Sequence, residues 1–172
     1  MEVQVSDYID VEAKALELGC TTPTGITILP RNFATATSSS EFIHEDTTPT
    51  IRILLRRAGV QETRIEKEGE KIPYSVQKSW EWVGPVLFVS QWMLSNAAFP
   101  LVINLISSYL YDIRKGHSDD ASATVEYVVE TTEKTKHGEK RVYKRITIKG
   151  SPNDIKKFGA EELKQLVEKS DK

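Results

Sequence analysis

The uncharged run at residues 82–111 limits the fold of this chain more than any other feature. These thirty residues contain no Asp, Glu, Lys or Arg, although 28% of the whole sequence is charged. About 20 apolar residues are enough to cross a bilayer as a helix. The same run could instead form the buried core of a soluble domain, or a surface that another chain covers.

Polar side chains and prolines inside the run favour a buried core. At helical spacing, Asn104 and Ser108 lie opposite the apolar positions, which gives an amphipathic helix that water stabilises better than lipid does. Pro100 disfavours a helix through the residue before it and suits the first turn of a new one. We therefore predict two helices, at about 75–96 and 99–115, that pack as a hairpin.

Shorter elements are predicted on the N-terminal side of the run. Capping and helix-stop residues indicate a helix from Ser6 to Gly19, and β-branched residues indicate a short strand that Pro30 ends. The segment "TPTIRILLRRAG" predicts an amphipathic helix with Pro in its first turn. Two short strands around a turn are predicted within residues 63–76.

The C-terminal part predicts a β-hairpin followed by a helix. The segments "ATVEYVVETTE" and "KRVYKRITIKG" alternate apolar and polar residues, and Gly138 lies in the turn between them. The segment from Ser151 to Asp154 matches a capping box, with Pro152 at the first helical position, and opens a helix in which Gly159 is a weak point.

The predicted fold class is therefore α+β. It has a central apolar helical pair, short N-terminal strands and a C-terminal β-hairpin followed by a helix. With 172 residues, the chain is the size of one domain. We predict a single domain, 1–172, with possible subdivisions at 1–74, 75–115 and 121–169.

No motif for catalysis, cofactor binding or metal binding is present. The sequence has no phosphate-binding loop, no dinucleotide fingerprint and no paired Cys or His ligands. The segment His44–Asp46 is expected to be a solvated loop, and Cys20 a small buried hydrophobe. We therefore predict no catalytic, cofactor or metal residues, and the sequence leans away from an enzyme.

Aromatic and basic side chains are the candidates for interaction. Residues 131–150 carry seven Lys or Arg and two Asp or Glu, a local balance of +5 within a chain of net charge −2. Such a hairpin could contact phosphates or an acidic protein surface, although its simplest interpretation is a solvated sheet face. The predicted interaction residues are Trp82, Trp92, Tyr109, Arg141, Tyr143 and Arg145.

The order of elements near the C-terminus resembles a known class of module. An apolar helix ending "LISSYLYDIRKG", a charged hairpin that includes "VEYVVE" and a capped helix together resemble the effector-associated modules of prokaryotic conflict systems. This resemblance covers less than half of the chain and implies a bacterial adaptor that joins proteins in a defence system.

The function class that we favour is a non-enzymatic interaction or assembly component, with a protein partner or a homo-oligomer. A membrane-active effector that inserts residues 82–111 and nucleic-acid binding through the hairpin are the alternatives. The single cysteine and the acidic N-terminus predict a cytoplasmic protein, with membrane association as the alternative.

Overall fold

A five-stranded mixed sheet organises the fold in the computed structural model, which describes residues 1–76, 81–114 and 122–170. The elements are β1 (Glu2–Asp7), α1 (Val11–Leu18), β2 (Ile26–Leu29), α2 (Thr48–Arg57), β3 (Trp82–Val89), α3 (Gln91–Leu94), α4 (Ala98–Arg114), β4 (Ala123–Thr135), β5 (Gly138–Gly150), α5 (Pro152–Lys157) and α6 (Ala160–Ser170). The predicted α+β class is confirmed.

The strands lie in the order β1-β5-β4-β3-β2. β3 and β4 are parallel, and every other neighbouring pair is antiparallel. A parallel pair needs a long connection, and here α3 and α4 lie between the two strands in the chain. In the strand order, β3 and β4 are interior strands, whereas β1 and β2 form the two edges.

Both faces of the sheet are covered. On one face, Leu87 and Val89 pack in a core cluster with residues of α2, α4, α5 and α6. On the other face, Phe88 and Val128 pack with α1 and the chain that follows β2. Because β3 is buried on both sides, none of its positions can hold a charge without a buried partner.

The helix predicted at 75–96 is wrong, because residues 82–89 form β3. A strand that is buried on both faces has a continuous apolar run, and periodicity cannot distinguish such a run from a buried helix. Gly84 and Pro85 do not break the element. Instead, the pairing with β4 shifts register between Val83 and Val86.

The second half of the run was predicted correctly. α4 occupies Ala98–Arg114 and packs with its apolar side against the sheet. The central element is thus a strand followed by a helix, and the expected helical hairpin does not form. Within the described ranges, no helix combines the length and the apolar character that crossing a membrane requires.

The N-terminal segment differs from its prediction because it joins the sheet. Residues before Tyr8 pair with β5, so α1 begins only at Val11. Asp10, rather than Ser6, caps the helix and accepts a hydrogen bond from Ala13 N at 2.9 Å. Gly19 ends the helix as predicted, with a positive φ of 64°.

The strand pair predicted at 63–76 is also wrong. Residues 63–76 form no strand, and Tyr74 makes one isolated bridge with His44. The predicted β-hairpin is confirmed as β4 and β5. Ser151 caps α5 as predicted, and the chain leaves helical conformation at Phe158 and Gly159 before α6 begins.

The double burial of β3 predicts that two adjacent residues are both costly to truncate. Leu87→Ala and Phe88→Ala should lower the free energy of unfolding by about 2–5 and 3–5 kcal/mol, because their side chains enter different core clusters. Leu101→Ala on the exposed side of α4 is the control and should cost under about 1 kcal/mol. Urea denaturation measures all three, and a mild effect at either strand position would contradict the arrangement.

Candidate interaction site

The β-hairpin extends beyond the rest of the sheet. β3 pairs with β4 only as far as Val129, and β1 pairs with β5 only from Lys144 onward. Residues 130–135 and 138–143 therefore have only each other as strand partners. We call this two-stranded extension the ribbon; its base lies beside the N-terminal part of α1 and beside α3.

A surface cavity of about 210 Å³ lies at the base of the ribbon, and we call it the Trp92 groove. Three of the six predicted interaction residues line it: Trp92 of α3, and Arg141 and Tyr143 of β5. Acidic residues of α1 and β4 and the loop before β2 complete its lining. The lining residues are Glu12, Thr22, Pro23, Thr24, Ser90, Trp92, Glu130, Arg141 and Tyr143.

Trp92 is held at the groove by the end of β3. Ser90 follows the strand, and its Oγ accepts a hydrogen bond from Gly25 N at 3.1 Å. The indole ring of Trp92 lies over Gly25, where a Cβ atom would come within 3.2 Å of the ring. Gly25 also has a positive φ of 61°. Glycine therefore suits this position both because it adopts this φ readily and because it has no Cβ atom to meet the ring. Trp92 nevertheless remains 56% exposed.

Tyr143 and Glu130 face each other across the ribbon as direct partners in the ladder. The Tyr143 side chain is buried against Phe88, with ring centroids 6.3 Å apart. Burial, followed by the charges of Glu130, Asp10 and Glu12, raises the pKa of Tyr143 to about 12, although a hydrogen bond with the backbone of Glu12 opposes the shift. Three carboxylates therefore contribute to the electrostatic environment of this hydroxyl.

Arg141 lies at the rim of the groove. Its Nη1 donates to Glu12 Oε2 at 3.1 Å, and both side chains are about half exposed or more. An ion pair in such a position contributes only about 0–1 kcal/mol. Arg145 does not join the groove, because its Nη2 donates to both carboxylate oxygens of Glu126, at 2.8 and 2.7 Å.

The positive charge of residues 131–150 is largely neutralised by distant acidic residues. Four of its seven basic side chains form ion pairs, and all four partners lie outside this range in the sequence. The local balance of +5 therefore falls to +1 when these partners are included. The pairs are Arg141–Glu12, Lys144–Asp7, Arg145–Glu126 and Lys149–Glu81.

Trp82 and Tyr109 lie away from the groove. Trp82 is 5% exposed, and its ring meets that of Tyr109 edge to face at a centroid distance of 6.2 Å. This pair joins β3 to α4 within the larger core cluster. Of the six predicted residues, Trp92, Arg141 and Tyr143 line the groove, Trp82 and Tyr109 pack in the core, and Arg145 is paired with Glu126.

A second polar feature is a buried charged cluster under α2. His44 and Glu45 are both buried, so the predicted solvated loop is wrong at these two residues, whereas Asp46 is exposed. The Nε2 of His44 donates to Glu66 Oε1 at 2.9 Å. Arg52 binds two carboxylates, with Nε 3.0 Å from Glu62 Oε1 and Nη2 2.9 Å from Glu66 Oε1.

The two glutamates of this cluster have opposite pKa shifts. Burial opposes ionisation of Glu66, but hydrogen bonds from His44, the backbone and Arg52, together with the charge of Arg52, outweigh it and lower the pKa to about 2. For Glu62, burial prevails over Arg52 and raises the pKa. Arg52 thus holds the irregular segment after α2 against the helix.

Cys20 is partly buried and His44 is fully buried. Burial raises the pKa of the Cys20 thiol, which disfavours the reactive thiolate. His44 is enclosed and already bound to Glu66. Among the described residues, no group of His, Cys, Asp and Glu is arranged to hold a metal ion.

Sequence reasoning missed Glu12 and Glu130 in the groove. Glu12 has the role of an acidic first-turn residue in α1, and Glu130 belongs to the alternating pattern of β4. Neither residue carries a local pattern that distinguishes it from other exposed acids.

A scan against models of protein families, a search of curated proteins and a search of solved structures each found no match to this chain.

The buried cluster predicts a defined pH dependence of stability. Glu66 has a lower pKa in the folded state than its usual value of about 4.3, so its stabilisation is present above that value and is lost as the pH falls toward about 2. Glu66→Gln should therefore lower the free energy of unfolding by about 2–3 kcal/mol at pH 7. The cost should become smaller between pH 5 and pH 3.

Urea denaturation of both proteins at several pH values measures this difference. Glu68→Gln is the matched control, because Glu68 is an exposed carboxylate two residues away. Its effect should be small and should not change with pH. A Glu66→Gln cost that is equal at pH 7 and pH 3 would show that the charge of Glu66 does not stabilise the fold.

Proposed function

We propose that this chain is a non-enzymatic protein-interaction module that contacts its partner through the Trp92 groove. The observation that carries the proposal is the convergence of Trp92, Arg141 and Tyr143 at one cavity. Tryptophan is among the residue types that most often dominate binding energy at protein interfaces, whereas Arg141 is already paired with Glu12 at the rim. Trp92 is also a large aromatic side chain that remains more than half exposed.

The chemistry of the remaining side chains supports binding rather than catalysis. A catalytic nucleophile or base needs access to its substrate and a suitable pKa. Cys20 has a raised pKa, and His44 has no exposed surface. The two groups with the most obvious catalytic potential therefore fit structural roles.

An adaptor role in a bacterial defence system is the narrower form of this proposal. It rests on the resemblance of the C-terminal part to effector-associated modules. The order of elements behind that resemblance, α4 followed by the hairpin and by α5 and α6, is the order in the chain. The neutralised hairpin gives little support to nucleic-acid binding, since only a small positive balance is left to contact phosphates.

Site-specific photocrosslinking tests the proposed interaction face. A photoreactive phenylalanine replaces Trp92 in the full chain, which is expressed in cells of its source. Irradiation should give one or two discrete products, and mass spectrometry should identify the same attached protein in repeated experiments. A second copy of this chain in the product would identify a homo-oligomer.

The same photoreactive residue at Leu101 is the control, since Leu101 is exposed on α4 and lies outside the groove. It should give none of the products that position 92 gives. Identical products from both positions, or none from position 92, would contradict the proposal. A turnover activity that is lost in Cys20→Ser or His44→Gln would contradict the non-enzymatic assignment.

A further inference from the structure

We propose that the Trp92 groove binds a cationic side chain, arginine or lysine, of the partner protein. This inference rests on the proposed function and adds the chemistry of the partner. The groove combines the exposed indole ring of Trp92 with two carboxylates, Glu12 and Glu130, and the buried Tyr143 also lines it. Aromatic faces and carboxylates both attract a cation, the first through the ring quadrupole and the second through charge.

The charge of the groove is unbalanced in favour of a cation. Asp10, Glu12 and Glu130 all act on the hydroxyl of Tyr143. Asp10 and Glu130 also accept hydrogen bonds from the backbone N–H groups of Ala13 and Gln91, which are neutral donors. Arg141 is the single basic residue in the lining of the groove. An acidic or phosphorylated partner would therefore meet repulsion here.

Arg141 provides an internal model for such a contact. Its guanidinium already donates to Glu12 at the rim, so a carboxylate in this groove can bind a guanidinium at 3.1 Å. The pair is mostly exposed and easily exchanged. A partner's cation can bind Glu130 alone, or it can replace Arg141 at Glu12.

The size of the groove favours a side chain over a whole small molecule. Its volume of about 210 Å³ is below the range of roughly 300–1,000 Å³ that encloses drug-sized ligands. The ribbon beside it has exposed residues on both strands, so the rest of a partner chain has room outside the cavity. An inserted arginine or lysine fits these dimensions.

A matched pair of peptides tests the proposal on the full chain. The probes are acetyl-Gly-Gly-Arg-Gly-Gly-amide and the same peptide with citrulline, which has the shape of arginine without its charge. Titration at low salt is followed by NMR through the indole N–H of Trp92, assigned by its loss in Trp92→Phe. The arginine peptide should bind at least about tenfold more tightly than the citrulline peptide.

Charge variants of the groove should change the affinity in opposite directions. Glu130→Gln should weaken arginine binding by about three- to tenfold, whereas Arg141→Gln should strengthen it, because Glu12 is then free. Glu17→Gln is the control: it removes an exposed carboxylate of α1 outside the groove and should have little effect.

Equal binding of the two peptides, or weaker binding in Arg141→Gln, would overturn the cationic assignment. Tighter binding of tetramethylammonium than of the arginine peptide would also overturn it, since the site would then select a free cation. If the arginine peptide fails but the crosslink at position 92 persists, only the partner chemistry is wrong. If that crosslink is absent as well, the proposed function fails with it.

Discussion

The burial of β3 on both faces is the constraint on which the rest of the structure depends. Leu87 and Phe88 are adjacent in the sequence but enter separate core clusters, so helices and loops must cover both sides of the sheet. The end of this strand also sets the position of Ser90, whose hydroxyl holds the backbone of Gly25. Because α3 starts directly after it, Trp92 is presented at the base of the ribbon. The core and the candidate site are thus joined through one strand.

Arg52 shows how the same fold accommodates charge in a region that is almost closed to water. Its side chain is 8% exposed and is bound by two glutamates, of which Glu66 also accepts from His44. Removal of one member of such a network leaves a buried charge without its full set of partners, which destabilises the fold. The two glutamates follow α2 and precede β3, where the backbone offers few ladder hydrogen bonds. Side-chain contacts there replace the regular pairing that holds the other segments.

Elements whose pattern is local could be predicted, and elements that depend on distant partners could not. The hairpin and α4 have clear periods of two and 3.6 residues, so their type was correct. β3 has no period, because both of its faces are buried, and β1 forms only through its pairing with β5. The groove likewise needs Glu12, Trp92 and Glu130 to meet from three separate elements. No local pattern contains that information, although the types of several interaction residues were recognisable.

The sign of the surface charge shows most clearly how tertiary structure changes an inference from sequence. A window of residues 131–150 is basic, which suggests an anionic partner. In the fold, however, Asp7 of β1, Glu12 of α1, Glu81 just before β3 and Glu126 of β4 pair with its basic side chains. Next to Tyr143, the carboxylates of Glu130, Asp10 and Glu12 act on its hydroxyl. A partner responds to the summed field and not to the composition of one segment, which is the reason for proposing a cationic partner at the groove.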